Sequence, residues 1–109
     1  MEHKPADVLS TWMDRVNADD LEGILALYAD SAILIPTFSN RVMNTPDKIR
    51  NYFLMLGGRD DLSVALHAKT LEVRPIQGSV FTLSGIYCWR FSVDEELLSF
   101  EARFTYLID

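Results

Sequence analysis

The second half of this chain consists of three long extended segments joined by very short connections, and that pattern restricts the fold more than any other feature. The segments run from about Leu62 to Ile76, Ser79 to Val93 and Leu97 to Ile108, separated by Gln77-Gly78 and by Asp94-Glu95-Glu96. Connections of two or three residues force neighbouring strands to run antiparallel. Each segment is roughly twice the usual strand length of about 5–6 residues, so a small domain holds them only if the sheet twists and coils around something. Gly85 is the expected place for a bend.

The first half supplies what the sheet coils around. Pro5 to about Val16 reads as a first helix, with Val8, Leu9, Trp12, Met13 and Val16 forming one apolar stripe. Asp19 and Asp20 then stand where a carboxylate caps free N–H groups, directly before Leu21, Ile24, Leu25 and Tyr28 at helical spacing. After Ala29-Asp30-Ser31 the apolar run Ala32-Ile33-Leu34-Ile35, closed by Pro36, predicts a short buried strand. The third helix has the clearest start: Thr45 as N-cap, Pro46 at the first helical position, Asp47 in the first turn, then Ile49, Tyr52, Phe53 and Leu56, with Gly57-Gly58 as the stop. Helices first and a curved antiparallel meander afterwards make an α+β domain, and 109 residues suffice for one such domain, not two.

Charge and composition exclude several functions. Ten Lys and Arg against sixteen Asp and Glu give a net charge of −6, which repels nucleic acid and anionic membranes. The apolar runs are far below the length of a membrane-spanning helix, and Met1-Glu-His-Lys-Pro lacks the order of a signal peptide, so a cytoplasmic location is expected. Cys88 is the only cysteine, which rules out an intrachain disulfide, and no Cys/His spacing resembles a zinc site. Neither metal nor cofactor is expected.

The order of elements, the stretch from Val16 to Ala32 and the helix start Thr45-Pro46-Asp47-Lys48-Ile49-Arg50-Asn51-Tyr52-Phe53 resemble the nuclear transport factor 2-like superfamily. The resemblance implies a cone-shaped α+β barrel, with three N-terminal helices packed in a strongly curved antiparallel sheet around an internal pocket. Val16 to Ala32 is similar to the ketosteroid isomerases. Ser84-Gly85-Ile86-Tyr87 and Ala102-Arg103-Phe104-Thr105-Tyr106 are similar to the SnoaL-like proteins grouped with the calcium/calmodulin-dependent kinase II association domain and the SgcJ/EcaC family.

Residue by residue, the isomerase chemistry does not carry over. The resemblance aligns Trp12 with the tyrosine donor of ketosteroid isomerases and Pro36 with their catalytic aspartate. An indole N–H is only a weak donor, and proline is no base. Other acid/base chemistry of this fold, a cofactor-free isomerase, cyclase or hydrolase step, needs carboxylates aimed into the cone. Glu101 and Arg103 share one face of the last segment by alternation. If that face lines the pocket, Arg103 holds an anion or enolate and Glu101 moves a proton; if it faces solvent, the two are a weak surface pair. The resemblance favours the first, since kinase association domains present an arginine from a corresponding strand. His67, expected within the extended segment Leu62 to Ile76, is a second acid/base candidate, and Arg90 between Trp89 and Phe91 a lesser cation. His3 belongs to the terminus, and Cys88 is expected as a small buried filler.

The resulting expectation is a dimer that binds a small anionic or carbonyl-bearing organic molecule, with Arg103 as anchor and Trp12, Tyr28, Tyr52 and Trp89 as walls. A purely structural association module is the remaining alternative. Phe81, Leu83, Tyr87, Trp89 and Phe91 share a parity, as do Phe100, Phe104, Tyr106 and Ile108, which predicts pairing of two copies through an aromatic sheet face. The related families continue the meander by one more strand after the Arg103 strand. Either the natural protein is shorter than its relatives or this sequence is a fragment; without that strand, an open strand edge that invites pairing with another chain is expected.

Overall fold

The computed structural model describes residues 4–109, so His3 lies outside the described residues. Helix α1 spans Pro5–Asn17 and buries Leu9, Trp12 and Val16, three members of the stripe one helical turn apart. Helix α2 is shorter than its apolar pattern, Leu21–Leu25, and Tyr28 follows it in a turn. The two aspartates divide their work: the Asp20 carboxylate accepts the Gly23 N–H at 3.0 Å, while Asp19 takes a left-handed φ of 54° to reverse the chain between helices. Helix α3 spans Pro46–Leu56, with Thr45 Oγ1 accepting the Lys48 N–H at 3.2 Å and Ile49, Tyr52, Phe53 and Leu56 buried.

The strand expected over Ala32–Ile35 is not one. It reduces to a single antiparallel bridge in which Leu34 and Met43 exchange two backbone bonds of 2.9 and 2.8 Å. Pro36 has no N–H to extend the ladder. Leu34 and Pro36 point inward, whereas Ile33 and Ile35 are 66% and 79% exposed, so this apolar run buries only every second residue.

Among the described residues four strands form one antiparallel sheet: β1 Asp60–Leu66, β2 Glu72–Gln77, β3 Val80–Val93 and β4 Glu96–Ile108. Strand β3 is its spine. One side of β3 pairs with β4 over the full length, from Phe81↔Ile108 to Val93↔Glu96. The other side pairs with β1 at Tyr87 to Ser92 and with β2 at Val80 to Ser84. The expected unbroken segment Leu62 to Ile76 is therefore two strands, and His67, expected within a strand, sits at the start of the 3-10 turn Ala68–Thr70 between them.

A side chain causes that break. Thr70 Oγ1 takes the Ile86 N–H at 2.9 Å and donates to the His67 carbonyl at 2.7 Å, replacing the ladder where the backbone leaves it. Gly85 faces this point from β3. A Cβ there would meet the Phe104 ring at 3.1 Å and Thr70 Oγ1 at 3.2 Å, so the bend depends on a missing side chain. The β3–β4 turn places Asp94 and Glu95 at φ of 51° and 67°, the left-handed pair that a two-residue hairpin requires.

The three helices lie on the concave face, giving a cone-shaped α+β fold whose sheet does not close. Leu83, Tyr87, Trp89 and Phe91 of β3 and Phe104 of β4 are buried beneath the helices. The aromatic parity expected on an uncovered sheet face is thus the covered one, because the helices of the same chain already pack on it. The opposite face carries Arg90, Ser99, Glu101, Arg103 and Thr105, all exposed.

Candidate functional site: an aromatic cavity behind strand β4

Between the concave sheet, α1, α3 and the segment from residue 33 to 37 lies a cavity of about 600 Å³. Its walls follow from the alternation just described. Trp12 comes from α1, Tyr52 and Phe53 from α3, Tyr87 and Trp89 from β3, and Phe104 and Tyr106 from β4, while Tyr28 reaches in from the turn after α2. The rings brace one another. Trp12 stacks on Tyr87 (centroids 5.8 Å, 15° between planes) and stands edge-on to Trp89 (5.8 Å, 90°), and Tyr87 stacks on Phe104 at 4.6 Å.

The polar atoms of these rings are unevenly satisfied. The Tyr87 and Tyr106 hydroxyls share a hydrogen bond of 3.1 Å, and Tyr52 Oη accepts the Phe38 N–H at 3.3 Å. Trp12 Nε1, Trp89 Nε1 and the Tyr28 hydroxyl are buried with no partner. An unpaired buried donor costs about 1–3 kcal/mol, so three residues of the cavity wall carry a standing penalty. Burial raises every phenol here: Tyr28, Tyr87 and Tyr106 move up, and Tyr52 is pushed up to about 12. The nearby Trp12 N–H favours the Tyr28 phenolate without being in hydrogen-bond geometry with the hydroxyl, and offsets part of that rise. At neutral pH all four phenols are uncharged donors.

All four expected wall residues, Trp12, Tyr28, Tyr52 and Trp89, line this cavity, as does Pro36. The expected charged residues stand elsewhere. Arg103 and Glu101 border the mouth along β4 but belong to its exposed parity, opposite Ile86 and Cys88. Glu101 Oε1 reaches His67 Nε2 at 3.7 Å, so the two acid/base candidates do meet, on the outer face and in a solvent-exposed pair of small energetic value. Among the described residues Arg103 has no carboxylate within ion-pair distance. Cys88 is half-buried, its Sγ 3.7 Å from the Trp89 carbonyl. Tyr87 and Tyr106 were not among the expected site residues; their shared parity with Trp89 and Phe104 was the available signal.

Among the described residues no group of three His, Cys, Asp or Glu side chains is placed to hold a metal ion, and no helix is long and apolar enough to cross a membrane. A smaller hollow of about 160 Å³ between the residues after α2 and the start of α3 has Asp30, Asp47 and Arg50 at its lip, without converging buried donors.

No protein-family model and no curated protein matches the sequence. Solved structures do match. A Xanthomonas campestris protein assigned by its name to the calcium/calmodulin dependent protein kinase II association domains superposes with a TM-score of 0.83 at 23% identity, over 94% of this chain and 71% of the other. The Delta 5-3-ketosteroid isomerase of a Mycobacterium species superposes with a TM-score of 0.71 at 16% identity, over 95% and 82%. A computationally designed 17-OHP binder gives 0.72 at 16% identity, over 95% and 80%. The chain therefore has the nuclear transport factor 2-like fold, shared by proteins named for assembly, for isomerisation and for ligand binding.

Proposed function

We propose that this chain binds a small, flat, largely apolar molecule carrying a carbonyl or other neutral oxygen acceptor in the aromatic cavity. The observation that carries this reading is a space of about 600 Å³ walled by the aromatic rings of Trp12, Tyr28, Tyr52, Tyr87 and Trp89, three of which hold a buried N–H or O–H without a partner among the described residues. Aromatic faces supply area, and the neutral donors fix the orientation of an acceptor. Two proteins of the same fold are named for such ligands, a ketosteroid isomerase and a 17-OHP binder. An anionic ligand anchored by Arg103 is the competing form, favoured by the position of that residue at the mouth.

Three naphthalenes separate these readings: naphthalene itself, 2-acetylnaphthalene with an acceptor, and 2-naphthoate with a charge. Tryptophan quenching is expected to show 2-acetylnaphthalene binding roughly tenfold more tightly than naphthalene, the worth of about one hydrogen bond to a desolvated donor. Trp12→Phe, which keeps the ring and removes the N–H, abolishes that preference. Equal affinity for the first two probes sinks the reading, and preference for 2-naphthoate that disappears in Arg103→Ala establishes the anion form instead. The acid/base alternative rests on the Glu101–His67 pair and requires turnover lost in Glu101→Gln.

A further inference from the structure

Most of the cavity wall belongs to helices or to the sheet, whose residues move only as parts of a hydrogen-bonded element. The segment Ile35 to Val42 is different. It is neither helix nor strand, and its two ends are drawn together by the Leu34–Met43 bridge, with backbone bonds of 2.9 and 2.8 Å. Both ends are anchored: the Leu34 side chain is buried, and Met43 runs through Asn44 into the Thr45 cap of α3. The first residues of the segment, Ile35, Pro36 and Thr37, line the cavity. Tyr28 also lies outside regular structure, but its N–H is held by the Leu25 carbonyl at 3.1 Å.

Phe38 is the main contact that keeps this segment in place. Its ring stands edge-on to Trp89, Phe91 and Phe100, with centroids 5.6, 5.4 and 5.7 Å away. Its N–H donates to Tyr52 Oη over a long 3.3 Å, and Thr37 stands beside the Tyr87 hydroxyl. Beyond Phe38 the chain turns back through solvent: Ser39 Oγ accepts the Arg41 N–H at 3.2 Å, and Asn40, Arg41 and Val42 are exposed. Two backbone bonds therefore fasten the base, and one aromatic ring fastens the far end.

We propose that Ile35 to Val42 is a flap, hinged at the Leu34–Met43 bridge and latched by Phe38, which swings away to admit a ligand to the aromatic cavity and closes over it. Release of the latch parts Phe38 from Trp89, Phe91 and Phe100 without breaking any ladder of the sheet, and it draws Ile35, Pro36 and Thr37 off the wall. It also frees the Tyr52 oxygen, so the Phe38–Tyr52 bond re-forms as the flap closes. What the flap admits rests on the binding reading above, whereas its motion needs no ligand.

Two measurements test these separately. Without ligand, nitrogen relaxation dispersion is expected to show exchange on the microsecond-to-millisecond scale at Thr37 to Val42 and none at Leu34 and Met43. In stopped-flow mixing with excess probe, the observed rate is expected to level off at one value for both naphthalene and 2-acetylnaphthalene, because the same opening step precedes either. Phe38→Ala raises that ceiling roughly tenfold or more, the worth of the lost ring contacts. Phe38→Leu keeps apolar bulk without the ring and gives an intermediate ceiling, and near-ultraviolet dichroism of the remaining aromatics certifies the fold of both variants. No exchange in the segment, or equal exchange at Leu34 and Met43, overturns the proposal; so do ceilings that differ between the probes or ignore the Phe38 substitutions. Probes that fail to bind a chain with the expected exchange break the binding reading and leave the flap standing. Probes that bind a chain without exchange break the flap and leave the reading.

Discussion

The two margins of the sheet are finished in opposite ways. On the β1/β2 side, polar side chains take over where backbone pairing ends: Asn17 occupies the N–H and C=O of Val64, and Thr70 bridges the gap between the strands at Ile86. On the β4 side no side chain among the described residues does this, and behind that strand lie the Tyr28 hydroxyl and the Trp12 and Trp89 indoles, buried and unpartnered among those residues. One margin spends its polar groups on the fold itself. The other leaves three such groups without a partner among the described residues.

The largest test of that contrast is alkali. The phenols behind β4 have raised pKa values in the folded state, Tyr52 from 10.0 to about 12 and Tyr106 also upward, both first through burial. The folded chain therefore holds protons that the unfolded chain has released, so stability is level below pH about 10 and falls as pH rises toward and past 12. The unfolding free energy from urea titrations across that range should drop by several kcal/mol in total, and Tyr106→Phe should lessen the drop; a flat profile would mean these hydroxyls are wet. Asn17→Ala comes next, at a loss of about 2 kcal/mol, because two part-buried backbone groups of Val64 lose their partner at once. Thr70→Val keeps shape but removes the hydroxyl that satisfies Ile86, for about 1–2 kcal/mol by chemical denaturation. Smallest is Arg103→Glu, which should change the monomer's own stability by less than about 0.5 kcal/mol, since its side chain is exposed and unpaired. A large loss there would make the β4 margin as structural as the other.

How much of this was legible in advance depended on whether the controlling forces were local. Helix α3 was readable to the residue, because Thr45, Pro46 and Gly57 act through the backbone beside them. The lengths of β3 and β4 were readable too, since the turns between them announce themselves. The break within Leu62 to Ile76 was not, because the Thr70–Ile86 bond that makes it crosses to another strand and leaves the apolar alternation of the sequence undisturbed. Alternation also left the direction of β4 open: it put Glu101 with Arg103 and Phe104 with Tyr106, but only the packing of α1 and α3 decided which pair looks inward. Trp12 and Tyr28 could be named as walls from sequence, whereas their unpartnered polar atoms exist only in three dimensions.

The β3–β4 turn carries a consequence for how the chain reaches this state. The longest hairpin of the sheet is closed by Asp94 and Glu95, two L-residues held left-handed at roughly 1–2 kcal/mol each. One of the two shortest loops of the sheet thus carries a conformational cost. The ladder from Val93↔Glu96 onward gains its stability only as the aromatic pairs further along, Phe91 with Phe100 at 5.1 Å, come together. The turn is therefore a local cost within the hairpin, and the stacked rings of Phe91 and Phe100 beside it offset that cost.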